Sequence, residues 1–320
     1  MKKILVWILV LAFIVFCASM LTDFLGTGGA ETPVFIPVGS NASNIAKALE
    51  KDGVIRNRLL FTLYIRKDAA HLTAGMHNFT ASMGYKKALE ELKKIVPLTE
   101  TVQVTIPEGY ELREIATLLE EKGLTSASAF SLACKEAHTR YDFLPADGNA
   151  EGYLFPATYD IPKDSDATAI VDMMLKSFQE NMMTDAFLAR SAESGQSFHA
   201  MLTLASIIER EAALDTERET ISSVFHNRLR QGMHLESCAT VQYILAERKP
   251  VLSIADTQIA SPYNTYLHPG LPPAPIASPG IASMNAALYP AETDYLFFVA
   301  NGSGGHTFST TYAEHLAAQQ

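Results

Sequence analysis

One pattern occurs twice in this chain, and it limits the fold of the first half more than any composition figure does. IPVGSNASNIAKALEKDGVI begins at Ile36, and IPEGYELREIATLLEEKGLT begins at Ile106. Without a gap, Ile36/Ile106, Pro37/Pro107, Gly39/Gly109, Ile45/Ile115, Ala46/Ala116, Leu49/Leu119, Glu50/Glu120 and Gly53/Gly123 coincide. Each copy reads as a strand ending in a Pro-x-Gly turn, then an amphipathic helix stopped by glycine, which takes the left-handed backbone past a helix end. In the first copy AGMHNFTASMGYKKALEELKKI continues with a strand, a turn and a second helix. The reading is of two small β-α modules made by duplication, either ligand-holding units or a spacer without a ligand.

Ahead of the repeat, Lys2 and Lys3 precede Ile4 to Leu21, a run without a charge. It is long enough to cross a bilayer as a helix, with the lysines on the cytoplasmic side. The competing reading is a cleaved signal peptide, but Gly28-Gly29-Ala30 lies far from the apolar core, and bulky Phe16 argues against lipidation at Cys17. The expected organisation is a membrane anchor over 1–21, a linker over 22–33, modules over 34–98 and 102–150, and a larger domain over 151–320. Every N-terminal reading puts the rest of the chain outside the cytoplasm.

The chain has 320 residues and a net charge of −10, which argues against a nucleic-acid partner, since such binders need a basic face. Three cysteines form neither a disulfide framework nor a zinc spacing. A Cys134–Cys238 bond suits an exported chain, and two separately buried thiols are the simpler expectation. The histidines are scattered without an H-E-x-x-H pair, so no metal or cofactor is expected. No G-x-S-x-G elbow appears, and GSGGH reads as a hairpin turn.

Beyond residue 150 the pattern is α+β. Helices are expected around Ala167–Asn181, around Phe187–Arg190, in the stretch that begins at Met201, and over Glu217–Gln231. A proline-rich cleft-lining loop, SPYNTYLHPGLPPAPIASPG, follows. A hairpin of DYLFFVA and HTFST comes next, and Thr311-x-x-Glu314 opens a last helix. In MLTLASIIEREAALDTER, helical spacing puts Met201, Leu202, Leu204, Ala205, Ile208 and Ala212 on one face, with Thr203 and Arg210 toward water. Glu209 falls inside that apolar face, and Glu211 on the opposite flank. They are not neighbours, so they cannot form an adjacent carboxylate dyad. A carboxyl on an apolar face is costly to ionise, so a raised pKa is expected, as a general acid requires. The plainer alternative is a structural Glu209 paired with an arginine such as Arg228.

The long strings of the C-terminal half resemble the YceG-like family of endolytic murein transglycosylases. They are EGYLFPATY, LASIIEREA, SVFHNRLRQGMHLES, TVQYIL, SPYNTYLHPGLPPAPIASPG and YLFFVANGSGGHTFSTTYAEH, and they cover nearly all of 151–320. The β-α repeats look similar to LysM-like modules, small folds that hold cell-wall glycan. The resemblance implies an enzyme in the cytoplasmic membrane that cuts nascent peptidoglycan strands internally, near the wall synthases. It implies Glu209 as the catalytic acid. The bond cut joins N-acetylmuramic acid to N-acetylglucosamine. The muramic C6 hydroxyl attacks its own anomeric carbon and leaves a 1,6-anhydro end. One carboxyl can serve as acid and then base, because the nucleophile comes with the substrate. Glu211, Asn227, Arg228, Tyr263, Asn264, Thr265, His306 and Phe308 are polar or aromatic within these strings and are expected to line the glycan cleft. Tyr263 and Phe308 would equally serve as core, and Asn264 as a turn cap. Cys238-Ala239 stands where the family pattern has Asp-Pro, and Glu236 where it has glutamine. The rival from another class is a non-catalytic wall-binding scaffold, and a third reading is a lysozyme-like hydrolase.

Overall fold

The structure is a computed structural model that describes residues 22–319 apart from 38, 97–99 and 246. The expected anchor over 1–21 lies outside them. Among the described residues no helix is long and apolar enough to cross a membrane. The chain divides into two compact units, one ending at Thr101 and the other running Val102–Gln320.

In the first unit β1 (Glu31–Ile36) pairs antiparallel with β2 (Gly75–Thr80), Glu31 opposite Thr80 and Ile36 opposite Gly75. Helices α1 (Ala42–Lys51) and α2 (Arg58–Ile65) lie between them in sequence, and α3 (Tyr85–Leu92) follows. The Asn41 side chain accepts from Asn44 N at 2.9 Å and satisfies a first-turn donor that the helix itself cannot. Gly53, at φ +69°, ends α1. The buried face of α1 is Ile45, Ala46 and Leu49, packed with Val34, Ile36, Phe61 and Phe79.

The second unit begins with the same order. After β3 (Thr101–Thr105) come α4 (Leu112–Glu121) and α5 (Ala127–Glu136), and then β4 (Thr158–Pro162), which pairs with β3. Gln103 faces Asp160 and Thr105 faces Thr158 across that pair. Ile115, Ala116 and Leu119 are buried on α4, at the positions that Ile45, Ala46 and Leu49 hold on α1. The closing strand of the second copy thus lies beyond residue 150, where the sequence placed a boundary. Its core is continuous with the rest of the unit, from Val104 and Ile115 to Met201, Leu204 and Leu288. The repeat does not bury its own apolar face alone, so the two stretches fold as one body.

Around that core lie α6 (Ala167–Met182), α7 (Asp185–Glu193), α8 (Phe198–Glu211) and α9 (Arg218–Arg230). After them come the short α10 (Cys238–Ile244), α11 (Ile281–Leu288), the hairpin β5 (Phe297–Ala300)–β6 (His306–Ser309) and α12 (Tyr312–Ala318). Helix α7 extends beyond the expected Phe187–Arg190, because Thr184 caps it by accepting from Phe187 N at 3.3 Å. Helix α11 has no counterpart in the sequence reading. Its buried positions include Ser283 and its exposed ones Ile281 and Ala282, so it shows no amphipathic stripe.

Helix α8 positions the site, and it is more buried than its spacing implied. All residues from Met201 to Ile208 are buried, including Thr203, which was expected in water. Thr203 Oγ1 satisfies itself by donating to His199 O at 2.8 Å within the helix. Ser197 caps the start by accepting from Ala200 N at 3.1 Å. Complete burial of Leu202, Leu204, Ile207 and Ile208 stabilises the helix by about 1.5–3 kcal/mol per side chain. Its two ends are only partly buried, and the last turn carries Glu209, Arg210 and Glu211.

Candidate active site

Three segments meet at the end of α8: the Pro107-Glu108-Gly109 turn of the second repeat, the last turn of α8, and Ser278–Gly280 at the end of the proline-rich loop. Gly109 N donates to Ser278 O at 2.7 Å, Ser278 N donates to Tyr110 O at 2.8 Å, and Arg210 Nη1 donates to Gly109 O at 3.0 Å. Arg210, expected to point into water, is instead half-buried and spent on this junction. Ser206 Oγ accepts from Ile276 N at 3.0 Å and fixes the loop on the helix.

Glu209 is held at the centre. Its side chain is only 6% exposed, and both oxygens accept: Oε1 from Arg218 Nη2 at 3.1 Å and Oε2 from Gly280 N at 3.0 Å. The partner of the buried carboxylate is therefore Arg218, not Arg228. Arg218 also bonds Ser283 Oγ, at 3.0 Å, and Asp215. Burial alone would lower the Arg218 pKa, but Asp215 and Glu209 outweigh it and hold the guanidinium above its ordinary value. Truncating one member of such a pair costs about 3–5 kcal/mol, because the other charge stays buried.

A second carboxyl lies beside it. A Cβ placed on Gly280 would lie 1.9 Å from Glu108 Oε1, so the carboxyl of Glu108 rests against the same glycine whose N–H binds Glu209. Glu108 is exposed, and its pKa is raised, first by partial desolvation and then by the charge of Glu209, against the opposing pull of Arg218. The sequence reading did not single out Glu108. The available signal was its place in the repeat, where the first copy has Val38.

Glu211 turns away from Glu209, as the helix geometry required. Its Oε1 accepts from Ser237 Oγ and, at 3.2 Å, from Ala239 N, at the start of α10. The departure from the family string has a physical consequence here, since a proline at 239 would have no N–H to give. Cys238 beside it is exposed rather than buried, and Cys134 is buried; both are free thiols. The Cys238 sulfur lies 3.2 Å from Tyr266 Oη.

Most of the other expected cleft residues hold backbone. Asn227 Nδ2 donates to Thr293 O and Tyr295 O, both at 2.8 Å, and Arg228 donates to Leu296 O, His234 O and Leu235 O and pairs with Glu236. Asn264 is fully buried and donates to Thr257 O and Ile259 O, which fixes the loop after Pro262. Thr265, also buried, ties that loop to Ser237 N and Thr240. His306 binds Glu217 through N and Nδ1, at 2.9 and 2.8 Å. Partial burial pushes the Glu217 carboxyl up, but those bonds prevail and hold it below its ordinary range. Phe308 packs on Tyr295 and Phe298. Tyr263 packs on Tyr243, next to Glu151.

Glu151 is the other carboxyl outside the expected set. It is buried, accepts from Leu112 N at 2.9 Å and Tyr243 Oη at 3.3 Å, and burial pushes its pKa up to about 8. A cavity of about 380 Å³ lined by Glu111, Asn149, Glu151 and Tyr243 opens beside it. A larger one, about 710 Å³, is lined by Arg190, His226, Asn227 and Asp294 and touches none of the residues around Glu209.

A nearly buried carboxylate fixed by a guanidinium and a peptide N–H thus lies beside an exposed carboxyl, two carboxyls in unlike surroundings. The chain belongs to the YceG-like family, which it matches over residues 34–320. It is 33% identical over 301 residues to an endolytic murein transglycosylase of Bacillus subtilis (strain 168), covering 89% of this chain and 83% of that protein. A relative of the same description from Streptococcus pneumoniae serotype 2 is 33% identical over 307 residues, and the match spans 55% of its length. A crystal structure of a YceG-like protein from Listeria monocytogenes superimposes with a TM-score of 0.61 at 32% identity, over 90% of this chain and 99% of that one.

Proposed function

We propose that this chain is an endolytic murein transglycosylase that cuts peptidoglycan between N-acetylmuramic acid and N-acetylglucosamine without water. The muramic C6 hydroxyl attacks the anomeric carbon of its own residue, and the strand is left with a 1,6-anhydro end. The observation that carries this reading is Glu209, fixed by Arg218 and Gly280 N where three segments converge. The reaction needs a proton for the leaving oxygen and a base for the C6 hydroxyl, and this reading assigns Glu209 a part in that proton transfer. No activated water or protein nucleophile is required, because the attacking hydroxyl is already part of the substrate.

The uncharged run Ile4–Leu21 behind two lysines supports a single-pass tether in the cytoplasmic membrane, with the catalytic unit outside, near the wall synthases. The β-α-α-β order of both repeats supports LysM-like modules that hold glycan, the first over 34–98 and the second beginning at 102.

Digestion of purified uncrosslinked glycan strands tests the activity. Anhydro-ended fragments from the wild type, and none from Glu209→Gln, are the expected result. Reducing ends would instead make it a hydrolase, and uncut strands a scaffold.

A further inference from the structure

The site holds two carboxyls in unlike settings. Both oxygens of Glu209 are occupied by N–H donors, one a guanidinium and one a peptide. Each of those oxygens keeps a lone pair beyond its N–H bond, so the Glu209 carboxylate can accept a proton there as a base. Glu108 differs in its surroundings. It is exposed, so a strand lying in the cleft can reach it, and among the described residues no group donates a hydrogen bond to it. It also rests on Gly280, whose missing side chain leaves room for it. At φ −79° that glycine needs no left-handed freedom, so the close approach is what the position requires.

We propose that Glu108, contributed by the turn of the second repeat, is a second catalytic carboxyl that shares the proton traffic with Glu209. This rests on the transglycosylase reading. Glu108 as the neutral acid gives its proton to the glycosidic oxygen as the bond to the anomeric carbon breaks. The C6 hydroxyl forms the new bond to that carbon and passes its proton to the Glu209 carboxylate. A proton returning from Glu209 to Glu108 resets the pair, so no proton is gained or lost over the cycle. The charges facing Glu108 are those of Glu209 on α8, Arg218 on α9 and Asp215 in the intervening turn, and with its partial desolvation they leave its pKa raised. Two neighbouring carboxyls in unlike surroundings, Glu209 bound by two N–H donors and Glu108 by none among the described residues, divide base from acid. The duplication supplies an internal control, since the first copy has Val38 at the matching position.

The test uses the full chain with two substrates: uncrosslinked glycan strands, and a short muramyl glycan bearing a nitrophenyl leaving group that departs without a proton. Glu108→Gln is expected to lower kcat on strands by about 10²–10⁴-fold, with KM little changed. The alkaline limb of its pH–rate profile should vanish, and its rate on the nitrophenyl substrate should approach wild type. Glu209→Gln should remain inactive on both. Glu108→Val, the residue of the first copy, should behave as Glu108→Gln does, and both should melt with the wild type because the side chain is exposed and unbonded. The proposal is overturned if Glu108→Gln cuts strands at the wild-type rate, if it is equally slow on both substrates, or if Glu209→Gln is the variant rescued by the good leaving group. A wild type that cuts neither substrate would refute the transglycosylase reading itself.

Discussion

In the first copy of the repeat, a Cβ added to Gly39 meets nothing within 4 Å; in the second, a Cβ on Gly109 meets Arg210 and Glu209 at 3.5–3.6 Å. Both glycines take nearly the same left-handed turn, φ +81° and +78°, and both turns lead into helices that bury the same three positions. The local code is shared, and the surroundings are not. β1 finds its partner strand within the first unit, at 75–80, while β3 pairs with 158–162, from the stretch that leads into the helices of the site. Pairing there lays the second turn over the end of α8. One supersecondary unit therefore has its own core in one copy and lays its turn against the end of α8 in the other.

The contrast is broken most severely at the buried pair beneath the second turn. Arg218→Ala is expected to cost about 3–5 kcal/mol in chemical denaturation and to abolish strand cutting, because the nearly buried Glu209 carboxyl loses its guanidinium partner. An unchanged midpoint would mean that the pair is not what holds the site. Next comes Gly280→Ala, where the new methyl competes with the Glu108 carboxyl for one space. A loss of about 1–3 kcal/mol or displacement of that carboxyl follows, with a fall in activity, whereas Gly39→Ala in the first copy leaves cutting unchanged and costs only backbone strain.

At the start of α4, Glu151 accepts from Leu112 N. Its folded pKa, about 8, lies above the ordinary carboxyl value of 4.5. The folded state therefore binds the extra proton between those values. The stabilisation is complete below pH 4.5, declines by up to about 1.4 kcal/mol per pH unit, and is gone above pH 8. Glu151→Gln should flatten that slope in urea titrations run across the range, and a persistent slope would assign it to another group. The smallest effect belongs to the first copy: Asn41→Ala removes a single cap and should cost about 1 kcal/mol, with strand cutting unaffected. A lost activity there would show that the two copies are not as separate in function as their cores are.

Legibility from the sequence followed how local each feature is. The turn glycines, the caps and the buried faces of α1 and α4 depend on residues within a few positions, and spacing found them. The separation of Glu209 from Glu211 was equally local, since two positions along a helix fix their directions. What spacing misread is where burial is complete. Thr203 lies opposite the apolar stripe and is still buried, because α8 is enclosed on all sides up to Ile208. Helix α11 carried no stripe for another reason, since Ile281 and Ala282 are exposed while Ser283 is buried. The site residues divide along the same line. Asn227, Arg228, Asn264 and Thr265 stand in motif strings as polar side chains, and nothing local shows that their hydrogen bonds are taken by backbone carbonyls, a cap or a neighbouring threonine.

The sequence by itself determined the duplication, the α+β order, the charged end of α8 and the separation of Glu209 from Glu211, each of which follows from helix or turn geometry over a few residues. Tertiary structure alone decided the partners. Arg218 rather than Arg228 binds Glu209, Gly280 offers its N–H from seventy-one residues away, and Glu108 leans on that same glycine from the turn of a repeat. The physical reason is that a buried carboxylate is satisfied by whatever donor the fold brings within 3 Å, and that distance is set by how the strands pair and the helices pack.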